Sequence, residues 1–161
     1  MYSSNAAPSF SVTDAIDPDI PTTISGADQL VADWIAGQLG LSNGLGPSAG
    51  IGVMFHGELI AGVAFNNYHR HERGATIEAS IAATTPRWAT RTVLCDFFSY
   101  PFVQMRVTRL GVTCRKSNKR ARMFVSRLGF KMEGCARRLW DGEHDAVVYS
   151  MMPEECRWLT G

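Results

Sequence analysis

Residues 75–114 read as strand, helix, strand, and this passage lies between two stretches that read as β-hairpins. In "ATIEASIAA", Ile77, Ala79, Ile81 and Ala83 alternate with Glu78, Ser80 and Ala82, the two-residue period of a strand. Val93, Leu94, Phe97 and Phe98 then follow helical spacing. That helix should end near Tyr100-Pro101, since the residue before proline disfavours α geometry, and "VTRLGVTC" returns to strand. Strand–helix–strand favours parallel pairing through a right-handed crossover. The flanking pairs, "GIGVMF" with "LIAGVAFNNY" around "HGE" and "FKMEGCARRLW" with "HDAVVYSMM" around Asp141-Gly142, demand antiparallel pairing. The sheet must be mixed. Where neighbouring strands diverge they leave a cleft and unpaired backbone groups, a natural place for an extended ligand.

The predicted order is strand, helix, three antiparallel strands, helix, strand, helix, two strands. Residues 1–25, with Pro8, Pro18 and Pro21, read as an irregular arm in which "SFSVTD" forms a short edge strand. Ser25 and Asp28 have capping-box spacing, and Leu30, Val31, Trp34, Ile35 and Gln38 trace one face of a helix to about Leu39. "GLSNGLGPSAG" follows as a flexible loop. A chain of 161 residues, 45% hydrophobic and 19% charged, suits a single domain over 1–161. No apolar run approaches the roughly 20 residues that span a bilayer, and nothing at the N-terminus directs export, so a cytoplasmic location is expected with no membrane partner. The four cysteines, about 20 residues apart and without a C-x-x-C pair, read as reduced, mostly buried thiols. His69 and His71 lack a third ligand and read as a solvated strand end, so no metal is expected.

Charge is unevenly distributed. Between Arg106 and Arg138 there are eleven Lys and Arg against one acid, Glu133, while the remainder holds five basic and fourteen acidic residues. That points to a local polyanion site. At its centre, "KSNKRARMFVSRLGF" reads as an amphipathic helix: Ser117 as N-cap, Ala121, Phe124, Val125 and Leu128 on one face, and Gly129 as the stop. Lys116, Lys119 and Arg120 crowd its N-terminus. Each cation there costs about 0.3–1 kcal/mol at low salt, a term that a docked anion reverses. The block lacks interleaved exposed aromatics, which argues against RNA as the partner.

Counted from Asn118, the chain reads N-x-x-A-x(6)-L-G-F, followed by "KMEGCARR" and a strand ending "VVYSM". This resembles the C-terminal signature of the GNAT superfamily of acetyl-CoA-dependent N-acetyltransferases. The resemblance covers about 50–152 and is to the compact variant that bacteriophages encode. It implies an α/β fold, α+β by some schemes, with a mixed, mostly antiparallel twisted sheet flanked by helices and splayed central strands. It also implies acetyl-CoA as co-substrate, an amine acceptor (protein, peptide, aminoacyl or small molecule), and admits a homodimer. Asn118 would meet the pantetheine arm, and Arg122, one turn on, a phosphate. Ala82 and Ala83 would flank the cofactor at the end of their strand. "RWATRT", comprising Arg87, Trp88, Ala89, Thr90, Arg91 and Thr92, stands at the pyrophosphate loop, with threonines where the family has glycines. The hydroxyls of Thr90 and Thr92 and the charge of Arg91 could partly replace what the glycines give, or Thr85-Pro86 could start the helix early and leave no loop.

Direct acetyl transfer needs a deprotonated amine and a donor for the developing oxyanion. Glu78 is the candidate base, and Ser80 the candidate that positions a water. The family's tyrosine at +7 from the asparagine is replaced by Val125, leaving Tyr149 as the substitute acid. The missing glycines and tyrosine also fit a second reading, a weakly active or inactive protein of the same fold that holds a host protein.

Overall fold

The computed structural model describes residues 17–159. "SFSVTD" lies outside them. Among the described residues, seven strands form one sheet in the order β1-β2-β3-β4-β5-β7-β6: β1 (Thr22–Ile24), β2 (Ala49–Phe55), β3 (Glu58–His71), β4 (Gly74–Ala83), β5 (Arg109–Arg115), β6 (Lys131–Ala136) and β7 (Ala146–Met151). All neighbours are antiparallel except β4 and β5, the mixture that the strand–helix–strand passage demands. The first strand is "TTI", inside what the sequence shows as an irregular arm. It pairs with β2, and Thr23 Oγ1 donates to Asp96 Oδ2 at 2.6 Å. In the β2–β3 turn, His56 (φ 52°) shares the left-handed conformation with Gly57 (φ 77°), as a two-residue hairpin loop requires.

Helices cover both faces. Helices α2 (Arg91–Ser99) and α3 (Lys119–Leu128) bury Phe97, Phe98, Val125 and Leu128 against Val63, Phe65, Ile77 and Leu110. Helix α1 (Asp28–Leu39) packs Val31, Ala32 and Ile35 on the opposite face, over Ala64 and Ala82. Its buried face is turned from the expected one: Leu30 is 65% exposed, and Ala32 and Ala36 go inside. Glycines in the sheet explain the choice. A Cβ at Gly50 would meet Val31 Cβ at 3.0 Å, and one at Gly62 would meet Val31 Cγ1 at 3.0 Å, so α1 lies closer to the sheet than larger residues allow. The expected Ser25 capping box does not form. Ala27 is the N-cap, and Asp28 Oδ1 instead accepts the Gly50 N–H at 2.9 Å. The glycine-rich loop is tied down as well, since Asn66 Nδ2 donates to the Leu45 carbonyl at 2.9 Å.

The feature that positions the site is the short partnership of β4 and β5. They pair only at Thr76–Arg109, Ile77–Leu110 and Glu78–Gly111; beyond this β4 runs to Ala83 and β5 to Arg115 unpaired with each other. The helix before β5 ends its α portion at Ser99, as Pro101 predicts, but the coil continues as a π turn, Tyr100–Gln104, closed by Met105 N–H on the Tyr100 carbonyl at 2.9 Å.

Candidate active site

Two adjoining cavities, each about 380 Å³, occupy the gap past Glu78 and the surface beside it. Leu39, Ile81, Asn118, Ala121 and Phe124 line both, so they form one groove running from the parted strands over the N-terminus of α3. Its ends differ in chemistry. One is lined by Thr84, Thr85, Pro86 and Arg120, the other by Glu78, Asn67, Arg115 and Trp140. A bulge in β3 between Asn66 and His69, with Asn67 at φ 55°, explains how Asn67 reaches the second end: its Nδ2 donates to Glu78 Oε1 at 3.2 Å.

Of the residues selected from sequence, Glu78, Ser80, Ala82, Ala83, Trp88 and Asn118 line this groove. Trp88 is also core, 2% exposed and packed on Phe97 and Phe124 at ring distances of 5.3 and 5.6 Å. Asn118, not Ser117, is the N-cap of α3: its Oδ1 accepts the Ala121 N–H at 3.0 Å. That commits an acceptor of the amide to the helix and leaves its NH₂ for a ligand.

The structure separates the other candidates from the groove. Arg87, Ala89, Thr90, Arg91 and Thr92 are not among its walls. The chain folds this stretch into a 3₁₀ turn at Pro86–Trp88, capped by Thr85, then restarts at α2, where Thr90 Oγ1 accepts the Val93 N–H at 3.2 Å. Thr90 is therefore a cap, and Arg91 donates to the Arg157 carbonyl at 3.5 Å. Arg122 and Tyr149 belong together elsewhere: Arg122 Nε donates to Tyr149 Oη at 3.2 Å, and Nη1 to the Lys116 carbonyl at 3.0 Å. Tyr149 is 2% exposed and lies outside the groove, so the substitute acid expected there has no route to it.

Arg115, Arg120, Cys114 and Trp140 also wall the groove, and none of them belongs to a motif in the sequence. Arg120 was visible only as one cation among three at the helix start. Cys114 lines the Glu78 end, where burial pushes its thiol up to about 11 against the weaker opposing pull of Arg122. Burial raises the Cys156 thiol too, whereas Cys135 is exposed. Limited iodoacetamide treatment at pH 7.5 is therefore expected to alkylate Cys135 before Cys114 and Cys156, read by peptide mass spectrometry; first labelling at Cys114 would contradict the burial. Beside the groove, Asp141 sits well below the usual carboxylate range. Backbone N–H donation from His144 is the main cause, joined by its imidazole and the Glu143 N–H. These bonds shape the β6–β7 turn next to Trp140. No group of three or more His, Cys, Asp or Glu is placed to hold a metal among the described residues.

Solved structures share this architecture. An acetyltransferase (GNAT family) from Bacillus anthracis superposes with a TM-score of 0.50 at 17% identity, covering 66% of this chain and 67% of its own. The chain is a GNAT-fold protein. A ribosomal-protein-S5-alanine acetyltransferase from Vibrio fischeri also superposes, with a TM-score of 0.57, 15% identity and coverage of 68% of this chain and 64% of its own. In sequence, the chain is 28% identical over 111 residues to "Putative ribosomal N-acetyltransferase YdaF" of Bacillus subtilis (strain 168), which takes in 65% of this chain and 59% of that protein. The chain thus spans less than two thirds of that relative's length. No family model matches it. In GNAT terms, the gap between β4 and β5 is the splay of the central strands expected from sequence.

Proposed function

We propose that this GNAT-fold chain is an N-acetyltransferase that moves the acetyl group of acetyl-CoA to a primary amine. One observation carries the reading: β4 and β5 part after three residue pairs and open a groove with a cationic end and a carboxylate end. Acetyl-CoA, when bound, supplies an acetyl group activated as a thioester. The chain's residues fit it. Arg120 at one end suits the phosphates, and the apolar walls Ile81, Ala121 and Phe124 suit the pantetheine arm, to which the Asn118 NH₂ can donate. With a 3₁₀ turn and capping threonines in place of a glycine-rich cradle, phosphate binding rests on the first turn of α3 rather than on Arg87–Thr92. This answers the crowding of Lys116, Lys119 and Arg120, whose repulsion an anion offsets.

At the other end Glu78, held by Asn67, takes the proton that the amine must lose, with Ser80 beside it on the same strand face. N–H groups on the free edge of β4 past Glu78 supply donors for the oxyanion. The names of two relatives, a ribosomal N-acetyltransferase and a ribosomal-protein-S5-alanine acetyltransferase, support a protein amine as acceptor. Thermal unfolding with and without acetyl-CoA tests the reading. A rise in Tm that grows with ligand concentration is expected, together with about tenfold weaker binding in Arg120→Ala. No shift at millimolar acetyl-CoA would end it.

A further inference from the structure

The Glu78 end of the groove contains a donor that the protein does not use. Arg115 closes β5 and lines the same cavity as Glu78, Asn67 and Trp140. Its Nε is buried and, among the described residues, is the one buried side-chain nitrogen or oxygen without a hydrogen-bond partner. No carboxylate forms an ion pair with it among the described residues. The Nε itself is closed off from the groove, and the rest of the half-buried guanidinium, on the wall of that cavity, presents the donors that a ligand can meet.

We propose that Arg115 determines acceptor specificity by donating to an oxygen adjacent to the reacting amine. The acceptor end then takes the α-amine of a peptide, whose first carbonyl supplies that oxygen, ahead of an alkyl polyamine, which has none. The charge pattern matches this ligand. Glu78 on β4 attracts the ammonium group, Arg115 on β5 faces the carbonyl, and the two flank the gap where the strands have parted. Leu139 and Trp140 add an apolar wall for the first side chain. Arg115 lines only this end, while Arg120 lines the other, so the two arginines serve different ligands. The planar guanidinium fork suits a carbonyl at fixed orientation better than a lysine point charge does.

The proposal rests on the acetyl-transfer reading, and its test separates the two. Arg115→Met keeps an unbranched stem as far as the Nε position and removes the donors; Arg115→Lys keeps charge without the fork. Kinetics are compared on tri-alanine amide and on spermidine. The wild type should favour the peptide. Arg115→Met should raise the peptide KM about tenfold to hundredfold, leave spermidine and acetyl-CoA Kd within about twofold, and not lower Tm, because no internal bond is lost. Arg115→Lys should recover part of the loss. Equal losses on both amines, a wild-type preference for spermidine, weaker acetyl-CoA binding, or a lower Tm with unchanged selectivity would each overturn the assignment. If no amine is acetylated, the acetyl-transfer reading fails by itself. Calorimetric binding of tri-alanine amide to the full chain then decides the role of Arg115: a loss of about tenfold or more in Arg115→Met supports it, and unchanged or absent binding refutes it.

Discussion

Ala121→Trp should abolish stabilisation by acetyl-CoA while the protein without ligand stays folded. Ala121 is half-buried on the first turn of α3 and walls both halves of the groove. An indole there projects into space that no other side chain fills, between the helix and the edge of β4. The backbone can carry it, because the position is helical and the cost of tryptophan over alanine in a helix is below about 1 kcal/mol. Ligand affinity has no such refuge, since the pantetheine arm would have to pass through the same volume. The expected outcome is loss of at least a hundredfold in acetyl-CoA affinity, a figure on the order of a direct steric block, with far-ultraviolet circular dichroism unchanged. Unaltered affinity would place the cofactor elsewhere on the molecule and remove the basis of the enzymatic reading.

The second large effect concerns proton removal. Glu78→Gln preserves shape and the contact with Asn67 but deletes the base, and general-base catalysis contributes about 10²–10⁴-fold. kcat with a peptide amine should fall by that order while acetyl-CoA Kd stays within about twofold, because Glu78 stands at the end of the groove away from Arg120. A decrease below about threefold would reduce Glu78 to an ordinary carboxylate on a polar strand face.

Much of the architecture was legible because the periods are clean. Ile77 to Ile81 alternate cleanly, the pattern failing only at Ala82, which is buried while Ala83 is exposed; Val93 to Phe98 keep helical spacing, and the resulting mixed sheet allowed few arrangements. The errors fall where two residues compete for one role. Ser117 and Asn118 are both good N-caps, and local spacing does not say which carbonyl begins the helix; the structure selects Asn118. In α1, counting large residues favoured Leu30, but the glycines of β2 and β3 leave room for a helix seated on Val31 and small alanines. "TTI" is too short for any period to show. Glu78, Ser80 and Asn118 line the groove because they stand on, or cap, regular elements beside the parting strands, which the strand and helix periods make readable. Arg122 and Tyr149 lie outside the groove and bond to each other. Each sits at a chemically attractive position in sequence, and only the fold reveals that they satisfy one another. Arg115, at the frayed end of β5, belongs to no pattern, and its buried Nε is visible only in three dimensions.

Three residue pairs, with the Thr108 N–H on the Ala75 carbonyl at 2.8 Å, join the β1–β4 half of the sheet to the β5–β7 half through the backbone. Past Glu78 the two strands share no backbone pairs, so the seam there carries fewer cross-links than the rest of the sheet. A molecule lodged in the seam and bonded to both edges acts as a splint.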